Sequence, residues 1–216
     1  MTIRRRPPAQ DIGRILGGKM APEDFIKMMN ATELNCDTLE KIAENEAEDF
    51  VNVCERLGDE AYAYAEKNEQ AGHLETASEY YFNANALYRL GDYGIKGVDE
   101  EKYRIYGKLV DSFKRSKQLM KKKEVQYIEV PFEDKKMPAY LLLPENAPKD
   151  VPVVICVVGA TGFKEENFII AETVLNRGAA AIIFDGPGQG ECNLNRDLYL
   201  TETNYDEAVL AIVDYI

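Results

Sequence analysis

The sequence predicts an α/β fold in two unlike parts, and three observations carry that reading. Apolar residues recur at helical spacing up to about Leu119. From Glu124 onward the period changes to that of strands. Between Val151 and Glu191 a buried strand, a Gly-rich turn, a helix, a second buried strand and a second Gly-rich turn follow one another without interruption. We expect a helical N-terminal region over residues 1–121 and a sheet region over 122–216, with the sheet incomplete at its C-terminal end.

In the helical region, Pro22 opens PEDFIKMMNA at a first-turn position. Asp37 and Glu40 are spaced as a capping box for TLEKIAENEAEDFVNVCERL, and Gly58 is the expected stop. DEAYAYAEKNEQA follows and ends at Gly72; HLETASEYYFNANALYRL ends at Gly91; DEEKYRIYGKLVDSFKRSKQLM closes the region. The basic run Lys114–Lys123 reads as a last turn that complements the negative end of a helix dipole. Tyr62, Tyr64, Tyr80, Tyr81, Tyr88, Tyr103 and Tyr106 make these helices rich in tyrosine. Rings filling helix–helix seams explain them best; the alternative is that Tyr80 and Tyr81 line a ligand pocket.

In the sheet region, VQYIEVPF and MPAYLLLP are joined by the turn EDKK as an antiparallel hairpin. VPVVICVV is apolar on both faces, as a central parallel strand is. Lys164–Arg177 is a crossover helix with Glu165 and Glu166 as first-turn charges and Gly178 at its stop. AAAIIFD is the second parallel strand, and NYDEAVLAIVDYI is a final amphipathic helix. Between these two, GPGQG and the residues around Cys192 read as loop, with no helix opening from the turn.

Bulk properties exclude several functions. The 216 residues carry a net charge of −12, which opposes non-specific binding to nucleic acid or an anionic membrane. Cys36, Cys54, Cys156 and Cys192 are too scattered for a disulfide framework or a zinc site, and reduced thiols fit a cytoplasmic protein. The start has positive charge but no apolar h-region, and no apolar run reaches membrane-spanning length. No metal or cofactor is expected.

The turns narrow the chemistry further. Lys164 is not followed by Ser or Thr, so GATGFK is not a phosphate loop. Gly186, Gly188 and Gly190 are evenly spaced and fail the dinucleotide fingerprint. What remains is the loop that gives an α/β-hydrolase one backbone N–H of its oxyanion hole. Gly159-Ala160-Thr161-Gly162 is small enough to present such an amide, and Phe163 beside it, with Tyr80 and Tyr81, is a candidate for substrate contact. Asp185 reads as structural, holding the two turns together.

The run Phe184-Asp185-Gly186-Pro187-Gly188-Gln189-Gly190-Glu191, with Gly159 and the Lys164–Asn167 KEEN upstream, resembles the FrsA-like branch of the α/β-hydrolases, which includes dihydroxypseudooxynicotine hydrolases. HLETASEYYFNANALYRLGDY is similar to the helical region that contributes to the cap of that branch. The resemblance implies a small aromatic or acyl ketone or ester as substrate, C–C or ester hydrolysis by a Ser-His-Asp triad, and a homodimer. It points to Ala160 first, and Thr161 next, as oxyanion amides.

The triad itself is missing. Its order in this fold is Ser, then acid, then His. No serine follows Ser116, and the single histidine, His73, precedes the whole sheet. Cys192 in GECNL is not placed as a nucleophile elbow. The 216 residues are therefore expected to be the N-terminal part of a hydrolase, with VPVVICVV left as an unpaired, aggregation-prone edge. A non-catalytic remnant and a helical-repeat-like interaction or ligand-binding protein are the alternatives, although no repeat at tetratricopeptide spacing is evident.

Overall fold

A computed structural model describes residues 20–32, 48–120, 124–159 and 161–216, and the chain divides into two compact units, residues 1–120 and 121–216. The proposed cap at Asp37 and Glu40, together with Cys36, lies outside the described residues, as does Ala160.

The first unit is helical: α1 (Pro22–Ala31), α2 (Phe50–Gln70), α3 (Leu74–Tyr93) and α4 (Glu100–Gln118). Asp49 caps α2 by accepting from Asn52 N–H at 3.1 Å, and Asp99 caps α4 by accepting from Lys102 N–H at 2.9 Å. Gly58 does not stop α2, which runs on to Gln70. It is small for packing instead, because a Cβ there would lie 2.5 Å from the Tyr88 ring. Gly91 likewise lies within α3, where a Cβ would meet Cys54 at 3.2 Å. Both glycines answer to a neighbouring helix, which local stop signals do not register. Gly72 does take the left-handed conformation of a stop, with φ +80°.

Helix α3 is buried almost all round from Tyr81 to Asp92, as the central helix of a layered unit must be. Its first half docks α1: Asn83 donates to Asp24 Oδ2 at 2.6 Å and accepts from Ala21 N–H at 2.8 Å. Its last turn docks α4, where Lys102 Nζ pairs with the buried Asp92 carboxylate and donates to Asp92 O at 2.9 Å. Burial pushes the Asp92 carboxyl up from 3.8 to about 6, against the downward pull of Lys102. The folded chain therefore holds this proton more tightly than the unfolded chain. Its contribution is complete below about pH 4 and is lost as pH rises through about 6. Relative to Asp92→Asn, the wild-type chain should lose about 3 kcal/mol across that interval, measured by urea unfolding at several pH values.

The second unit is a four-stranded mixed sheet: β1 (Glu124–Phe132), β2 (Lys135–Leu143), β3 (Val153–Cys156) and β4 (Ala180–Phe184), in the order β1-β2-β4-β3. β1 and β2 form the expected hairpin, with Phe132 opposite Lys135 across a tight turn in which Glu133 has φ +53°. β2 pairs antiparallel with β4, Ala139 opposite Phe184, and β3 pairs parallel with β4, Ile155 opposite Ile182. All five residues of β4 are buried. β3 is the edge of these four strands, as expected of an incomplete sheet, and is only four residues long, with Val154 exposed on it and Val157 exposed just beyond. The crossover opens as a 3-10 turn, Lys164–Asn167, before α5 (Phe168–Leu175), and Gly178 ends it with φ +81°. A short helix, α6 (Gly190–Asn195), opens directly from the second Gly-rich turn, where a loop was expected. α7 (Asn204–Tyr215) puts Ala208 and Ile212 into a core with Val130, Met137, Ile182, Phe184 and Cys192. No helix among the described residues is long and apolar enough to cross a membrane.

Candidate active site at the ends of the parallel strands

β3 and β4 run in the same direction, so the turns that follow them emerge at the same edge of the sheet. Open α/β sheets bind their ligands at that carboxyl edge. Two sets of buried polar contacts join the turns.

The first set centres on Gln189, which is 2% exposed. Its Nε2 donates to Val158 O at 2.9 Å and to Gly159 O at 3.0 Å. Its Oε1 accepts from Gly186 N–H at 2.9 Å and from Tyr205 O–H at 3.1 Å. One amide thus fixes both carbonyls that lead into the first turn and the opening of the second. Gly162 N–H adds a bond to Gly159 O at 2.9 Å. Gly162 also lies close against Val158, where a Cβ would sit 2.8 Å from the valine Cβ.

The second set centres on Lys164, whose side chain is wholly buried. Its Nζ lies 2.9 Å from Asp185 Oδ2, 3.1 Å from Glu165 Oε1 and 3.3 Å from Glu191 Oε2. Asp185 accepts Lys164 N–H at 2.7 Å and Glu191 N–H at 2.9 Å. Asp185 therefore joins the start of the crossover to the start of α6. Gly188 has φ +77° and Gly190 φ +33°. A Cβ on Gly186 would press on the Tyr205 ring at 2.8 Å, one on Gly188 on Leu200 at 2.9 Å, and one on Gly190 would overlap the Asp185 carboxylate.

Lys164 was legible in the sequence only as the wrong end of a phosphate-loop motif; its burial depends on acids 21 and 27 residues away. Glu165 is not a solvated first-turn charge. It is fully buried, and Lys164 Nζ lies 3.1 Å from its Oε1. Burial raises its carboxyl above the usual range, Asp185 adds to this, and Lys164 opposes it. Glu191 goes the other way: burial pushes it up, but Lys164 and Arg196 outweigh burial and hold it below the usual range. Arg196 reaches Glu191 Oε1 and Glu129 Oε1, both at 2.7 Å.

Cys192 lies inside α6, not in a loop, and its buried thiol donates to Asp185 O at 3.0 Å. Burial, with Asp185 next, pushes it up to about 12, so the thiolate needed for attack is suppressed. Thr161 is exposed, and Phe163 is buried at the head of the 3-10 turn. In the helical unit, Tyr81 is buried, with its hydroxyl donating to Glu69 at 2.6 Å and accepting from Arg115 at 3.0 Å. Tyr80 is partly exposed and packs on Tyr64 with ring centroids 4.4 Å apart. Among the described residues, no set of His, Cys, Asp and Glu could hold a metal ion.

No family model matches the chain. It is 27% identical over 163 residues to hydrolyase poxO of Penicillium oxalicum, covering 73% of this chain and 38% of that protein. It is 28% identical over 160 residues to 2,6-dihydropseudooxynicotine hydrolase of Paenarthrobacter nicotinovorans, covering 74% of this chain and 42% of that protein. The crystal structure of a 2,6-dihydroxy-pseudo-oxynicotine hydrolase superposes with a TM-score of 0.73 at 24% identity, over 94% of this chain and 52% of that one. The chain thus spans about two-fifths of the length of these curated relatives and about half of the solved structure. In sequence this chain is similar to part of these hydrolases, and its fold is that of about half of the solved one.

Proposed function

We propose that these residues supply the oxyanion turn and the helical region of a hydrolase whose nucleophile, acid and histidine lie outside the 216 residues. The substrate class is a small aromatic or acyl ketone or ester, opened at a C–C or ester bond. The observation that carries this reading is the Gln189 clamp, which presents a small-residue turn at the carboxyl end of a parallel strand. Ala160 and Thr161 are the candidate amides. A tetrahedral intermediate forms when a serine oxygen attacks the carbonyl carbon, and its negative oxygen is stabilised by N–H groups already held in place. A turn clamped beforehand needs little reorganisation as that charge develops. Phe163, beside the turn in the sheet unit, is the candidate for contact with the apolar body of the substrate.

The test compares the 216-residue chain with the longest reading frame that contains it. The longer product should hydrolyse p-nitrophenyl esters and react with a fluorophosphonate probe, and the shorter chain should do neither. Turnover by the shorter chain that depends on one of its own residues would overturn the proposal, as would an inert longer product.

A further inference from the structure

Among the described residues, the helical unit holds a buried cation with no ion-pair partner. Arg89, on α3, is 1% exposed, and its Nε and Nη1 make no hydrogen bond among the described residues. No carboxylate there lies within ion-pair distance of it. Arg89 belongs to a stripe with Asn85 one turn before and Asp92 one turn after, both 0% exposed. Each of these two also has one orphaned oxygen, Asn85 Oδ1 and Asp92 Oδ1.

Both ends of the stripe face α4, since Asn85 Nδ2 donates to Leu109 O at 2.9 Å and Lys102 Nζ donates to Asp92 O at 2.9 Å. Arg89 therefore lies along the same seam, opposite the stretch of α4 that carries the buried Tyr106. Asp92 does not serve Arg89, because Lys102 takes its other oxygen. A buried guanidinium with two of its three nitrogens unbonded among the described residues is unfavourable, and an anion would complete it.

We propose that Arg89 is the anchor of a binding site for a small organic monoanion, a carboxylate or an enolate with an apolar body. A planar, two-oxygen anion matches the guanidinium donors. A monoanion is favoured over phosphate because Arg89 brings one uncompensated charge and the Asp92 carboxylate sits one helical turn away. Asn85 Oδ1 is left to accept from a hydroxyl on the same ligand. The overall charge of −12 offers no general attraction for anions, so binding depends on this residue. The site is independent of the proposed hydrolysis, because it lies within the helical unit and its readout needs no turnover.

The test is thermal unfolding of the 216-residue chain at constant ionic strength, titrated with sodium benzoate or with uncharged benzamide. Benzoate should raise the melting temperature saturably and benzamide should not. Arg89→Met should melt no lower than wild type without ligand, because it removes an uncompensated buried charge, and should bind benzoate at least tenfold more weakly. Arg89→Lys should fall between the two. The proposal is overturned by a wild-type chain that shows no saturable response to benzoate, or by an R89M chain that responds as wild type does. An R89M chain too unstable to measure overturns it equally, since the guanidinium would then have a structural partner in the free protein.

Discussion

Lys164→Met should destabilise the sheet unit by about 3–5 kcal/mol, the range found when one partner of a buried ion pair is removed. The size follows from what remains. Asp185, Glu165 and Glu191 would stay in the same buried space with Lys164 gone, and among the described residues only Arg196 would still form an ion pair with one of them. Two further results separate this from loss of packing, since methionine keeps most of the apolar stem. The defect should shrink as pH falls, because the crowded carboxyls can then take up protons in the folded state; without Lys164 the folded chain binds more protons than the unfolded one, so stability declines as pH rises. Lys164→Met combined with Glu165→Gln should recover part of the loss, since the two changes couple. Urea unfolding followed by circular dichroism at pH 5 and pH 8 measures both, and an equal loss at the two pH values would refute the charge account.

Gly190→Ala should cost about 2–3 kcal/mol, more than its small added volume suggests. The new Cβ would meet the Asp185 carboxyl, with Cγ 2.6 Å away, and Asp185 cannot swing aside because it accepts three bonds from Lys164 and Glu191. Gly178→Ala is the control. That position is also left-handed, at φ +81°, but has open space around it, so only backbone strain of about 1 kcal/mol applies. Similar losses in the two variants, by chemical denaturation, would mean that the carboxylate contact contributes nothing.

The hairpin was legible in the sequence because its signal is local: alternation on both sides of a short turn determines pairing and register. The parallel strands were legible from their continuous apolar runs. Gly58 and Gly91 were misread for a physical reason. A glycine that ends a helix and a glycine that admits another helix look alike along the chain, and only the Tyr88 ring and Cys54 distinguish them. The same holds for the site. Asp185 could be placed between the turns because it ends a strand beside one of them. Lys164 and Glu165 could not, since first-turn charges usually face water and nothing nearby in the sequence says otherwise. Gln189 stood inside a quoted run as one more turn residue. Its role depends on carbonyls 30 and 31 residues earlier and on a hydroxyl 16 residues later.

That last separation has a consequence in time. Ribosomes deliver residues from the N-terminus at about 5–20 per second. The turn at Gly159 leaves the ribosome well before the side chain that clamps it, and Gln189 leaves before Tyr205, which completes the amide's own set of bonds. For some seconds of synthesis the turn is therefore made but unshaped. Its clamp is complete only once Tyr205 of α7 has been made.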